Sequence, residues 1–382
     1  KSFKNFYYDE HVNMNKNLNN KIIQSIYILE NHNFISIGFD YSLTNEERSR
    51  DFYNNYNDWS GRNVYASQKN NYFSLNHILA QYNKFGVSYE KEQDCDYSFT
   101  EKIFDLNNNL LKTNARQSDG DIYSLNLFYT FTFNLSTKYN FKIQPLVSYK
   151  KFENKILMFE DFQSASFDDY KLCGYFDGDG ISSKCSINFE SQNKKNKYIL
   201  SYQFPTRFSG DYYISDNTTG NSVSISTKKI TMPAELGITA ILIMPSEHFT
   251  KLIFNIIYTN WQNLKDNEGF QISSAPQNLK NTISAAAGLT FKTSNKLTNN
   301  LTLFYEPSYY KTSDKKIGLN IGTNIKASAK LNIFSNITIA QFKYIEDYPF
   351  TLQADGTRSQ IYGNDYSNNK DIKFSIGMDY KL

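Results

Sequence analysis

Over long stretches of this chain every second residue is apolar, and no stretch is apolar throughout. Ile372, Phe374, Ile376, Met378, Tyr380 and Leu382 alternate with Lys373, Ser375, Gly377, Asp379 and Lys381. Tyr123, Leu125, Leu127, Tyr129, Phe131, Phe133 and Leu135 form a longer run, with Ser124, Asn126, Thr130, Thr132 and Asn134 between them. A period of two puts one set of side chains on one face of a strand and the other set on the opposite face. The run over 123–135 is long beside a soluble-protein strand of about 5–6 residues. Similar segments recur near 21–29, 33–42, 70–80, 83–90, 139–150, 183–190, 197–204, 222–230, 236–243, 249–258, 283–292, 298–306, 317–326 and 330–342. Not all need be separate strands, and about fourteen is the natural count for a large barrel.

A membrane-spanning helix needs about 18 uncharged apolar residues. The most apolar window here, Ala234 to Pro245, is shorter and contains Glu235, so a helical membrane protein is excluded. A barrel strand crosses with about 9–11 residues, and its hydropathy averages out because inward positions are polar. The composition fits that case: Tyr and Phe number 30 each in a chain that is 40% hydrophobic with a negative mean hydropathy. Aromatics favour strands and membrane interfaces.

The connections are of two kinds. Asn31-His32-Asn33 and Lys138-Tyr139-Asn140 read as tight turns, whereas 43–69, 92–120, 155–182 and 343–370 read as long Asn/Asp/Ser-rich loops. The segment Tyr97 to Gln117 could hold a short amphipathic loop helix. Short turns at one end and long loops at the other describe an outer-membrane barrel, and a β-sandwich would show shorter strands with turns every 8–12 residues or so. The expected fold is all-β: one transmembrane antiparallel β-barrel over 1–382, with long extracellular loops and short periplasmic turns. No internal repeat or Pro/Gly-rich linker argues for a second domain.

Charge points to no particular partner, because 41 Lys plus Arg stand against 38 Asp plus Glu with no long block of either sign. Nucleic acid is not implied. The four histidines, His11, His32, His77 and His248, are scattered, and no HExxH, GxSxG or P-loop string occurs, so no enzyme, cofactor or metal is expected. Asp177-Gly178-Asp179-Gly180 resembles a calcium loop only in part, since the twelfth position is Asn188, and a surface turn is the simpler reading. Of Cys95, Cys173 and Cys185, the last two flank that presumed turn and could form a disulfide in an oxidising compartment or remain two free thiols. From Lys1 onward no basic segment leads into an apolar export signal, which says nothing against export.

Three strings carry a resemblance. They are Asp58-Trp59-Ser60-Gly61-Arg62; Tyr202-Gln203-Phe204-Pro205-Thr206-Arg207-Phe208-Ser209-Gly210-Asp211-Tyr212; and Met232-Pro233-Ala234-Glu235-Leu236-Gly237 leading to Tyr258-Thr259-Asn260-Trp261. In that order they resemble the FadL family of outer-membrane transporters of hydrophobic compounds, over about residues 20 to 382. Read from the residues alone, Pro233 opens a strand where its missing N–H has no partner. Gly210 supports a turn after Phe208, and Trp59 and Trp261 read as interface-belt aromatics.

The resemblance implies a fourteen-stranded barrel plugged by an N-terminal hatch. It also implies a long-chain fatty acid or other hydrophobic ligand that leaves sideways through the wall, and a place in the bacterial outer membrane among its lipids, with a monomer expected. Arg62 and Arg207 could meet a fatty acid carboxylate bidentately or could brace a loop or lumen carboxylate. The sequence departs from the family in three places: the hatch and the start of the first strand are not seen, no Pro or Gly kinks the wall after Phe34 to Tyr41, and Leu382 stands where a terminal Phe is common. A general porin, a barrel partner in secretion or adhesion, and a soluble glycan-binding β-protein are the competing readings.

Overall fold

A computed structural model describes residues 33–50, 64–94, 96–104, 109–134, 139–163, 169–191, 196–216, 222–244, 246, 248–263, 279–307, 315–347, 351–354, 357–360 and 364–382. Fourteen wall strands form a closed antiparallel barrel. The first six are β1 (Phe34–Arg50), β2 (Val64–Tyr82), β3 (Phe85–Asp94, prolonged by Tyr97–Phe104), β4 (Leu110–Tyr129, continued by Phe131–Asn134), β5 (Tyr139–Phe162) and β6 (Tyr170–Ser191). Two interrupted strands follow, β7 (Asn196–Gln203 and Thr206–Asp216) and β8 (Ser222–Met232 and Glu235–Ile243). The wall ends with β9 (Phe249–Thr259), β10 (Thr282–Lys292), β11 (Leu297–Pro307), β12 (Lys315–Lys326), β13 (Leu331–Asp347) and β14 (Asn364–Lys381). The seam pairs Phe34 through Ser49 with Lys381 back to Tyr366.

The sequence periodicity maps onto this wall strand for strand. Segments 222–230 and 236–243 are two halves of one wall strand, β8, and segment 21–29 lies outside the described residues.

Alternation decides which face meets lipid. On β5 the outward side chains from Tyr139 to Tyr149 are Tyr139, Phe141, Ile143, Pro145, Val147 and Tyr149, while Lys142, Gln144 and Ser148 are buried inward. On β4 the outward run is Phe133, Phe131, Tyr129, Leu127, Leu125 and Tyr123; on β14 it is Tyr380, Met378, Ile376, Phe374 and Ile372. Each run has the length of a lipid crossing and carries no charge. Tyrosines and phenylalanines cap it at both levels, Tyr82, Phe133, Tyr139 and Tyr380 below, Tyr41, Tyr123, Tyr149 and Tyr258 above. Just above the belt, one outward rung carries Asp121, Glu153, Asp177 and Asp211 on four adjacent strands. Like charges directly opposite one another are unfavourable. Lys91 offsets them by pairing with Asp121 at 2.6 Å, and Lys151 does so with Glu153 and, at 3.6 Å, with Asp177.

Several inward rings lie flat against the wall because the neighbouring strand supplies a glycine. A Cβ on Gly86 would fall inside the ring of Phe128, one on Gly318 inside Phe304, and one on Gly377 inside Phe334. The β2–β3 turn is two residues long, with Asn83 in the left-handed region at φ 56°, which asparagine tolerates.

The structure corrects four readings. Much of the stretches expected as loops is strand: β5 and β6 run through 155–162 and 170–182, and β1, β2, β13 and β14 project likewise. These extensions lie above the lipid belt, so their outward faces carry polar and charged residues and lack the belt's alternation. The expected loop helix over Tyr97 to Gln117 is a strand pair, Tyr97–Phe104 against Leu110–Ser118. Asp177-Gly178-Asp179-Gly180 is no turn but the middle of β6, and Gly210 sits mid-strand, where a Cβ would strike the backbone of Asp177 and Gly178. Cys173 and Cys185 are free thiols on that same strand. Twelve extended residues separate their α-carbons by about 40 Å, whereas a disulfide tolerates less than about 7 Å.

If the outward face is the lipid face, Leu127→Arg, in the middle of the belt, costs about 2–4 kcal/mol in urea unfolding from bilayers. A neutral effect would mean that Leu127 does not face lipid.

Candidate functional site

Inward side chains divide the lumen into two zones. At the level of the lipid belt polar pairs stand among small apolar groups, one of Phe34, Leu79 and Phe128 and another of Ile257, Ala286, Phe304 and Ala340. Lys373 meets Asp40, Lys316 meets Asp371 at 3.2 Å, and Lys142 meets Glu190 at 3.4 Å. Asn126 donates to Ser88 at 3.1 Å, Asn255 to Thr239 at 3.1 Å and Asn320 to Thr338 at 2.8 Å. Buried polar groups tolerate this environment because they find partners across the strands.

Nearer the long-loop end the polarity of the wall inverts. Lys151, Glu153, Asp177 and Lys229 face outward there, and the residues between them, Phe152, Phe176 and Ile230, face inward. With Ile122, Ile156, Phe208, Tyr212, Trp261 and Leu279 they form one buried apolar cluster, flanked by Met158 and Met232. The Phe152 ring packs edge-on against Phe176 at 5.3 Å and Phe208 at 5.6 Å. Trp261 enters from the turn after β9, and its indole Nε1 donates to Thr282 Oγ1 at 2.9 Å. Burying one such side chain contributes about 1.5–3 kcal/mol. On β8, one inward position above Ile230, the Lys228 ammonium lies 5.9 Å from the centre of the Tyr212 ring.

The wall around the cluster has two discontinuities. The β2–β3 ladder joins only His77–Tyr82 to Phe85–Glu90, while β2 continues to Val64 along β1. The parting starts beside an irregularity at Lys91/Gln93, and Gln93 lies opposite Ile122 of the cluster. A second irregularity at Gly38/Phe39 adjoins it in β1. The other discontinuity interrupts β7 at Phe204-Pro205 and β8 at Pro233-Ala234, between the rungs Gln203↔Glu235 and Thr206↔Met232. Neither proline has an N–H to close the ladder.

The residues singled out in the sequence fare unevenly. Asp58, Trp59, Gly61 and Arg62 lie outside the described residues. Arg207 is exposed on the outer face, opposite Ile181 and Thr231, and does not reach the lumen; its neighbour Phe208 does. Asp211 is likewise outward, whereas Thr206 is buried at the foot of the cluster opposite Met232. Pro205 and Pro233 make the wall interruption, with Asn260 N donating to Ala234 O at 3.0 Å. Trp261 is no belt aromatic; it is 4% exposed inside the lumen. The cluster itself escaped sequence reading, although its signal is present: apolar residues sit between charged or polar ones at Lys151-Phe152-Glu153 and Lys229-Ile230-Thr231.

No protein-family model and no curated protein matches the sequence. Solved structures do. A Pseudomonas aeruginosa FadL homologue superposes with a TM-score of 0.56 at 10% identity, over 93% of this chain and 91% of that one. The fold is that of a FadL-type barrel. The Ralstonia pickettii toluene transporter TbuX matches with a TM-score of 0.55 at 11% identity, over 93% of this chain and 90% of its own. The P. putida toluene transporter TodX matches with a TM-score of 0.55 at 12% identity, over 94% and 92%. At such identity the likeness is one of fold.

Phe152 is wholly buried between two other rings. Phe152→Ala is expected to cost about 3–5 kcal/mol in urea unfolding, and a loss below about 1 kcal/mol would mean that the cluster is loosely packed.

Proposed function

We propose that this protein takes up hydrophobic compounds, long-chain fatty acids or other apolar molecules, across a bacterial outer membrane. The observation that carries this reading is the large apolar cluster, with three phenylalanine rings and an indole, held inside the barrel towards its long-loop end, above a lumen that carries inward ion pairs and only smaller apolar groups. A greasy molecule gains by leaving water for Phe152, Phe176, Phe208 and Trp261. Continuing down the axis it would have to pass the inward ion pairs Lys373–Asp40, Lys316–Asp371 and Lys142–Glu190. The way out is sideways, where β2 leaves β3 beside Ile122. Passage needs no covalent chemistry and no cofactor.

Lys228, rather than the outward Arg207, is the basic group placed to meet a fatty acid carboxylate, since it faces the lumen directly above Ile230 and stacks on Tyr212. A charge-assisted contact of this kind orients an amphipathic ligand with its chain in the cluster.

Trp261 is a built-in reporter. In a Trp59→Phe background, a brominated fatty acid or hydrocarbon should quench its fluorescence saturably, and absence of quenching with ligand in excess would contradict the reading. Lys228→Met should weaken a fatty acid about tenfold, equivalent to 1.4 kcal/mol, and leave a hydrocarbon of equal length unchanged. Equal losses for both would mean that Lys228 does not hold the head group.

The polar lower lumen favours a general porin as the second reading. Planar-bilayer recordings separate the two: steady open currents support the porin, their absence the hydrophobic carrier.

A further inference from the structure

Among the described residues, the exposed charges of the short-turn rim are of one sign. Lys84 lies in the β2–β3 turn, Lys292 and Lys296 flank the β10–β11 turn, Lys326 and Lys330 flank the β12–β13 turn, and Lys381 closes β14. The first five are exposed, and no Asp or Glu side chain is exposed among the described residues of these turns. The opposite border of the belt, by contrast, mixes both signs and pairs them, as Lys91 does with Asp121 and Lys151 with Glu153.

These lysines form a continuous arc. Lys292 N donates to His248 O at 2.7 Å, Lys326 N to Lys296 O at 2.8 Å, and Lys381 N to Lys330 O at 2.8 Å. The arc continues through Leu382 N to Asn33 O at 3.0 Å and Asn83 N to Asn33 Oδ1 at 2.6 Å, which brings in Lys84. Neighbouring strands stand about 4.8 Å apart, less than a Debye length of about 8 Å, so lysines on adjacent strands of the arc feel one another's charge. Left alone they repel.

Their height on the barrel names the counter-charge. The outward residues next to them, Tyr82, Phe85, Ile325 and Tyr380, belong to the lipid belt, and the Lys330 ammonium rests 5.7 Å from the centre of the Tyr380 ring. A tyrosine at the belt edge marks head-group depth, which is where lipid phosphates lie. We propose that this arc binds the phosphate groups of anionic glycerophospholipids in the leaflet at the short-turn rim, fixing the barrel's depth and preferring those lipids at its edge. The inference rests on the lipid belt and is independent of what the lumen carries.

The test is lipid selectivity of the reconstituted full chain, measured by electron spin resonance with spin-labelled phosphatidylglycerol and phosphatidylcholine. The wild type should prefer phosphatidylglycerol severalfold, lose the preference at high salt, and gain thermal stability in vesicles rich in that lipid. The triple variant Lys296→Gln, Lys326→Gln, Lys330→Gln should fall towards parity, and the corresponding triple arginine variant should keep the preference. Parity in the wild type, or an undiminished preference in the glutamine variant, would overturn the proposal. So would a glutamine variant that loses sedimentation with cell-wall glycan but keeps its lipid selectivity, since the arc would then serve a periplasmic partner.

Discussion

A backbone N–H or C=O in contact with lipid tails has no water to turn to, and leaving it unpaired costs several kcal/mol. That single constraint accounts for the closure of β1 on β14 over almost its whole length and for outward runs that match the thickness of a bilayer. It also accounts for inward positions that remain polar, because the ladder fixes the backbone and frees every second side chain to face the lumen. Where the ladder stops, between β2 and β3 and at the two proline interruptions, the wall adjoins the apolar cluster. At those places lipid-like surface stands on the inside.

The inversion of polarity along the axis links fold to transport. Below, apolar side chains face out and ion pairs stand inside among smaller apolar groups; above, Lys151, Glu153 and Asp177 face out and Phe152, Phe176, Phe208, Ile230 and Trp261 face in, with the buried pair Lys112–Glu160 nearer the strand ends. The alternation never slips a residue between the two zones on β5, so one uninterrupted strand serves a lipid-facing belt and an apolar chamber. A hydrophobic molecule therefore meets favourable surface in the upper lumen and again in the bilayer, with an ion-paired lumen barring the axial route. The comparison structures, one FadL homologue and two toluene transporters, share the barrel and leave the ligand of this chain to be found by experiment.

Most of the wall was legible in the sequence, because a two-residue period with one greasy face is what lipid imposes; the strands over 139–150, 283–292 and 372–382 are where the periodicity puts them. The site was far less legible. Outside the bilayer the selection on outward residues reverses, so Lys151-Phe152-Glu153 looks like loop sequence although it is strand. Arg207 was attractive as an anion ligand on chemistry alone, but the interruption at Phe204-Pro205 sets the register that turns it outward and Phe208 inward. Trp261 suggested an interface aromatic by type, and only the end of β9 at Thr259 reveals that the chain turns it into the lumen. Of the two alternatives for Cys173 and Cys185, free thiols hold for the same reason that the Gly/Asp string is no turn: both lie in straight strand.

The most direct test is a crystal structure of the protein soaked with a brominated alkyl chain, read by the anomalous signal of bromine. Density within van der Waals distance of Phe152, Phe176 and Trp261, with none in the ion-paired lumen below, is the predicted result. Bromine confined to the outer belt, or spread along the polar lower lumen, would contradict a hydrophobic chamber at the long-loop end.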